Sequence, residues 1–212
     1  MFGDRVREIL FLPVRFFCSH EFVNMLGLRS LRDERYDCVM EFCRGRLLDI
    51  GCGNNELVKK YGRDSIGVDV HDCGGGAVIV DDAANLPFED ACFDTVSFVA
   101  SLNHITNRRE VIAEARRVLS RRGRIVLTML SPFVGTVRHR LAIWDRDQLD
   151  RGLKPGEAQG LSHSHILSLF GSQGFKLVGK KRFMVFLNSI YVFEKSEKKR
   201  GQEPLFAAEK GS

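Results

Sequence analysis

Arg46 to Asn55, RLLDIGCGNN, sets the architecture of this chain, because an apolar run, an acid and two closely spaced glycines stand together there. Leu47, Leu48 and Ile50 suit a strand covered on both faces, Asp49 lies at its end, and Gly51 and Gly53 let the following backbone turn sharply beside a ligand. The stretch therefore reads as a buried strand running into a nucleotide-binding turn. Downstream, Leu57 and Val58 begin a helix that Gly62 ends, which gives the order strand, glycine turn, helix that opens a βαβ unit. Upstream, Ser30 followed by Asp33 resembles a capping-box start, and Tyr36, Val39, Met40 and Cys43 recur at helical spacing before Gly45.

Working outward, Ser65 to Val70 (SIGVDV) reads as a second strand ending at Asp69, the distance beyond the glycines at which nucleotide-binding folds place a ribose-binding acid. Cys73 to Gly76 is too short for a crossover helix, and Ala77 to Val80 makes a third strand ending at Asp81 and Asp82. Phe93 to Ala100 is a fourth strand of β-branched and aromatic residues. Arg109 to Leu119 carries Val111, Ile112, Ala115, Val118 and Leu119 on one helical face, closed by Arg121, Arg122 and Gly123, and Arg124 to Met129 supplies a fifth strand. Strands alternating with helices predict a mostly parallel sheet covered on both faces. From Leu130 to Ser162 the pattern dissolves. Ser164 to Phe170 is a short helix, and Lys176 to Phe183 with Asn188 to Glu194 forms an antiparallel hairpin.

Composition bounds the class. The chain has 212 residues, a hydrophobic fraction of 44% and a charged fraction of 28%, which describes a globular protein and argues against a membrane bundle or a disordered chain. The net charge of +5 is a mild excess that solubility alone accounts for, so a nucleic-acid partner is not expected. Six scattered cysteines without a CxxC pair suggest reduced thiols in a cytoplasmic protein, with no metal site. The apolar patch Ile9 to Val14 is too short to span a bilayer. With Arg5, Arg7 and Arg15 around it, the patch suits either peripheral membrane contact or, by preference, a helical flank packed over the domain. The tail from Lys195 onward reads as disordered; Gln202, Leu205 and Phe206 within it have a QxxLF spacing like that of short clamp-binding peptides, a pattern that arises easily by chance.

The ordered set LLDIGCGNN, GVDV, DDAANLPFEDACFDTVSF and EARRVLSRRGRIVLTM resembles the class I S-adenosylmethionine-dependent methyltransferases, in particular the small-molecule, type 11-like branch. The resemblance covers about Arg46 to Met129 and implies a Rossmann-like α/β fold: a seven-stranded, mostly parallel sheet with an antiparallel final strand and helices on both faces. It implies S-adenosylmethionine as cofactor, with Asp49, Gly51, Cys52 and Gly53 around its methionine portion and ribose edge. Asp69 would hold the ribose diol, Val70 would face the adenine, Asp82 would accept from the adenine amino group beside the Ala83 amide, and Ala100 and Ser101 would meet the cofactor at the end of strand four. The third glycine common in the family's first motif is Asn55 here, and the crossover after Asp69 is shortened. A nicotinamide dehydrogenase shares the strand, turn and acid, but its GxGxxG pattern requires glycine where Glu56 stands, and a carboxylate at a helix start repels a pyrophosphate.

Methyl transfer from a sulfonium is an in-line displacement, so alignment and water exclusion come first and a base is optional. His104, just past strand four, ranks first as a candidate base, and His163 is a second candidate. The domain plan is an N-terminal helical flank or lid over 1–45, the methyltransferase domain over 46–195 with an acceptor-side insertion over 130–162, and the tail over 196–212. The expected acceptor is a small molecule or lipid-like. A catalytically silent cofactor-binding scaffold and, further off, an RNA methyltransferase stay open, and the oligomeric state is not readable.

Overall fold

β1 (Leu47–Ile50) is buried along its whole length and lies at the middle of the sheet. The structure, a computed structural model, describes residues 10–130, 158, 160–183 and 187–196. Most of the expected acceptor-side insertion and the QxxLF motif lie outside the described residues. After β1 come α4 (Glu56–Tyr61), β2 (Ile66–Asp69), β3 (Val78–Ile79), β4 (Phe93–Val99), a 3-10 turn (Leu102–His104), α5 (Arg108–Val118) and β5 (Leu119–Leu130). The chain closes with α6 (His163–Ser172), β6 (Phe175–Phe183) and β7 (Asn188–Lys195). Before β1 stand α1 (Leu12–Phe17), α2 (His20–Met25) and α3 (Leu31–Met40).

The seven strands are ordered β3-β2-β1-β4-β5-β7-β6. β1 to β5 pair in parallel, and β7 is inserted antiparallel between β5 and β6. This is the expected Rossmann-like sheet, and helices cover both faces. On one face Leu48, Ile50, Phe98 and Leu127 pack with the α5 stripe Val111, Ile112, Ala115 and Val118 and with Ile166 and Phe170 of α6. On the other, Leu47 and Val126 pack with Cys38 and Val39 of α3 and Leu57 of α4. Neighbouring residues such as Leu47 and Leu48 go to opposite cores because side chains alternate along a strand, which is why the parallel strands read as unbroken apolar runs.

Two elements differ from expectation by more than the fraying of an end. The third strand, expected over Ala77 to Val80, holds only two ladder residues, both exposed at the sheet edge. Arg121 to Gly123 do not close a helix. α5 ends at Val118, the chain passes directly into β5, and Leu119 pairs with Phe93. Leu119 fits the helical stripe and Gly123 resembles a C-cap, but Gly123 has no positive φ; a Cβ there would meet the Leu119 side chain at 2.6 Å, so the glycine serves close packing inside the strand.

The N-terminal helices are fixed to the domain by charge. Arg15, expected among the basic residues flanking the apolar patch, is instead buried, and its guanidinium donates to Glu34 at 2.6 Å and to the Arg29 carbonyl at 2.8 Å. Arg15 is therefore not a headgroup contact, although Leu10 and Met25 are more than two-thirds exposed. Arg32 of α3 pairs with Glu56 at 3.0 Å, which ties this flank to the residue just beyond the glycine turn.

Candidate functional site

The parallel strands end together at one edge of the sheet, and there the chain assembles the residues singled out from the sequence. Gly51 and Cys52 donate their backbone N–H groups to the Val68 carbonyl at 2.9 and 3.2 Å, so the turn after β1 is sewn to β2. Gly51 has φ +74, and a Cβ on it would stand 2.5 Å from the Ser101 Cβ; only glycine fits. Ser101 completes this junction by donating its hydroxyl to the Ile50 carbonyl at 2.6 Å. Gly53, by contrast, has open space where a side chain would stand. Its N–H donates to Asp69 Oδ2 at 2.8 Å, while the His71 N–H donates to Asp69 Oδ1 at 3.1 Å. Each Asp69 oxygen thus uses one acceptor position and keeps another for a ligand.

Asp49 is buried and pairs in register with Ser97 of β4. Ser97 donates its hydroxyl to Asp49 Oδ1 at 2.6 Å. Burial pushes the Asp49 carboxyl up to about 7; the Ser97 bond acts against that rise, and the charge of Asp69 adds to it. Cys52 is also buried, and burial followed by the charges of Asp49 and Asp69 pushes its thiol up to about 12, so it is a packing thiol at neutral pH.

Asn55 shows how the turn works without a third glycine. It takes the left-handed conformation at φ 60 and ψ 25, which asparagine tolerates better than most residues. Its Nδ2 donates to the Gly76 carbonyl at 3.2 Å, and its Oδ1 lies against Gly67, where a Cβ would come within 2.1 Å. A Cβ on Gly75 would likewise stand 2.1 Å from the Asn54 carbonyl oxygen. The shortened crossover is therefore folded down onto the glycine turn.

On the far side, Asp82 is exposed, and Val70 is about half exposed at the end of β2. Asp82 Oδ1 accepts from the Ala84 N–H at 2.8 Å, and Asn107 Nδ2 donates to both carboxylate oxygens at 3.0 and 2.9 Å. The Ala84 backbone bond first, then Asn107, holds this carboxyl below the usual range. Ala83 is buried beside it. Leu86 is fixed by Glu114, which accepts from its N–H at 2.9 Å, and by Arg117, which donates to its carbonyl at 3.1 Å. At the end of β4, Ala100 is held at φ 56, and its N–H donates to Thr128 Oγ1 at 2.9 Å. A left-handed alanine at such a position is strained and is kept by its surroundings.

The two histidines are not brought together. His104 closes the 3-10 turn after Ser101, exposed, with its Nε2 2.9 Å from Asn103 Nδ2. His163 opens α6, stacks on Tyr191 with ring centroids 5.6 Å apart, and has its Nδ1 3.4 Å from Lys180 Nζ. Sequence reasoning missed Ser97, Thr128 and Asn107. The first two were visible only as hydroxyls near the ends of otherwise apolar strands, and Asn107 had no signal beyond its place before a helix. Among the described residues no group of three or more His, Cys, Asp or Glu is placed to hold a metal ion.

The chain is similar to known proteins in sequence and in fold. Residues 48–127 match the model of the methyltransferase domain family. Demethylmenaquinone methyltransferase of Thermotoga maritima is 46% identical over 57 residues, covering 27% of this chain and 25% of that protein. The ubiquinone/menaquinone biosynthesis C-methyltransferase of Acidiphilium cryptum is 39% identical over 133 residues, covering 57% of this chain and 51% of that protein. The chain thus spans about a quarter and about half of these two curated relatives. A Pyrococcus horikoshii protein of solved structure superposes with a TM-score of 0.60 at 20% identity, over 78% of this chain and 90% of that one, and shows the shared fold.

Proposed function

We infer that this chain, whose residues 48–127 match the methyltransferase domain family, is a class I S-adenosylmethionine-dependent methyltransferase that transfers a methyl group from S-adenosylmethionine to a small-molecule or lipid-like acceptor. The observation that carries this reading is the convergence of Asp49, the Gly51–Gly53 turn, Asp69 and Asp82 at one edge of the sheet. The cofactor is the one the family implies, and the residues suit it. The open space over Gly53 and the spare acceptor positions on Asp69 fit a ribose diol, and Asp82 beside Ala83 fits an amino-substituted base. When bound, the cofactor supplies a methyl group on a sulfonium, already activated for displacement.

The chain's own part is to bind, orient and exclude water. Gly51, Cys52 and Gly53 would border the methionine portion and ribose edge, with Asp49 beneath as the acidic floor; Asp69 would accept from the ribose hydroxyls. Val70 would cover one face of the base, and Asp82 with the Ala83 N–H would read its edge. Ala100 and Ser101 would close the end of β4, where Thr128 holds the left-handed turn that His104 follows. For an acceptor that must lose a proton, His104 is the first candidate base, because it closes the turn that follows Ala100 and Ser101 at the end of β4, and His163 at the start of α6 is the second.

The N-terminal flank over 1–45 and the insertion over 130–162 would enclose the acceptor. The quinone-directed names of the two curated relatives favour a quinone-like or other lipid-like acceptor here. No helix among the described residues is long and apolar enough to cross a membrane, and a cytoplasmic setting is part of the proposal. The test is transfer of a labelled methyl group from S-adenosylmethionine to a panel of hydroxylated aromatic and isoprenoid acceptors. Labelled product supports the reading. Cofactor binding without turnover across the whole panel would replace it with the silent scaffold.

A further inference from the structure

The start of α5 holds both borders of the proposed base pocket, and it does so at the expense of its own cap. Asn107 occupies the N-cap position of this eleven-residue helix, and asparagine is among the best N-cap residues, yet its side chain makes no capping hydrogen bond. The amide reaches instead across to Asp82 and donates to both carboxylate oxygens. The next residue, Arg108, donates to the carbonyls of Leu102 and Asn103 at 3.0 and 2.8 Å, in the turn that follows β4. Two adjacent residues thus grip the two loops between which the base would lie.

We propose that Asn107 is a positioning residue that fixes the Asp82 carboxylate for an amino-substituted purine and so sets the base specificity of the cofactor site. Asp82 is otherwise an exposed side chain anchored by one backbone bond, from Ala84. A carboxylate that rotates freely would accept from an adenine amino group at greater entropic cost and would turn away more readily from a base presenting a carbonyl there. Asn107 restricts that rotation while leaving acceptor positions on both oxygens. An aspartate at 107 would place a second negative charge against Asp82, so the amide is the side chain the pair needs. The inference rests on the cofactor reading of the preceding section.

The test is calorimetric titration of the full chain with S-adenosylhomocysteine and with S-inosylhomocysteine, which presents a carbonyl where adenine has its amino group. The unaltered protein is expected to prefer the adenosyl ligand by about tenfold or more, the scale of one hydrogen bond replaced by an unpaired acceptor. Asn107→Ala is expected to erase most of that preference by weakening the adenosyl ligand alone. Asn107→Ser places a strong N-cap residue there that is too short to reach Asp82, so it is expected to hold the unfolding midpoint and still lose the preference. Parallel weakening of both ligands in the alanine variant, with recovery in the serine variant, would show that position 107 acts only through the stability of the helix start and overturn the proposal. So would an unchanged ratio in both variants. Failure of the unaltered protein to bind either ligand would overturn the cofactor reading itself.

Discussion

The Asn55 side-chain amide donates to the Gly76 carbonyl at 3.2 Å and thereby fastens the shortened crossover to the turn that follows β1. Asn55 stands where the family's third glycine is usual, and it supplies both the left-handed backbone and a tether. Asn55→Ala would keep the strained φ and lose the tether, for a loss of roughly 2 to 3 kcal/mol. Asn55→Gly relieves the strain and should cost less. Urea unfolding midpoints rank the variants, and an alanine variant as stable as the glycine one would contradict this role.

The buried Asp49 makes stability depend on pH. Its folded value of about 7 lies above its ordinary 3.8, so the folded state holds a proton that the unfolded chain releases between those values. The contribution of Asp49 to stability is therefore fully present below about pH 4 and is lost as pH rises from about 4 to about 7, by an amount on the order of a few kcal/mol. Asp49→Asn retains an acceptor for Ser97 without the charge. The variant is expected to melt higher than the unaltered protein at pH 8 and level with it only below the ordinary Asp value of 3.8. A constant difference across that range would show that Asp49 is ionised throughout.

A cationic ligand beside Asp49 would draw its proton off. Binding of S-adenosylmethionine near pH 6.5 is expected to release up to one proton, seen as a dependence of the calorimetric heat on the buffer's ionisation enthalpy. Asp49→Asn should abolish most of that dependence. An equal dependence in both proteins would assign the proton elsewhere.

Thr128 should matter through Ala100. Thr128→Val leaves the Ala100 N–H without its acceptor and is expected to cost about 1 to 3 kcal/mol. Ala100→Gly removes the left-handed strain and should be neutral or stabilising by up to about 1 kcal/mol. Thermal unfolding of the two variants checks both signs.

Much of this arrangement was legible in the sequence. Strands covered on both faces produce apolar runs such as Leu47 to Ile50, and the acid at the end of β2 and the glycines after β1 occupy fixed offsets along the chain. The hydrogen bonds that hold the site were not legible. Ser97 and Asp49 are 48 residues apart, Thr128 and Ala100 28, and Asn107 and Asp82 25, and only strand register or loop closure brings them together. The start of β5 is not legible in the sequence because Leu119 satisfies the helical period as well as it satisfies the ladder, and only its pairing with Phe93 distinguishes the two.

The most direct test of the cofactor site is isothermal titration of S-adenosylmethionine into the unaltered protein and Asp69→Ala side by side. One-to-one binding to the first, weakened about 5- to 150-fold in the second by loss of the ribose hydrogen bonds, is the expected result. Absence of heat with the unaltered protein at millimolar ligand, or equal affinity in the two, would contradict the site described here.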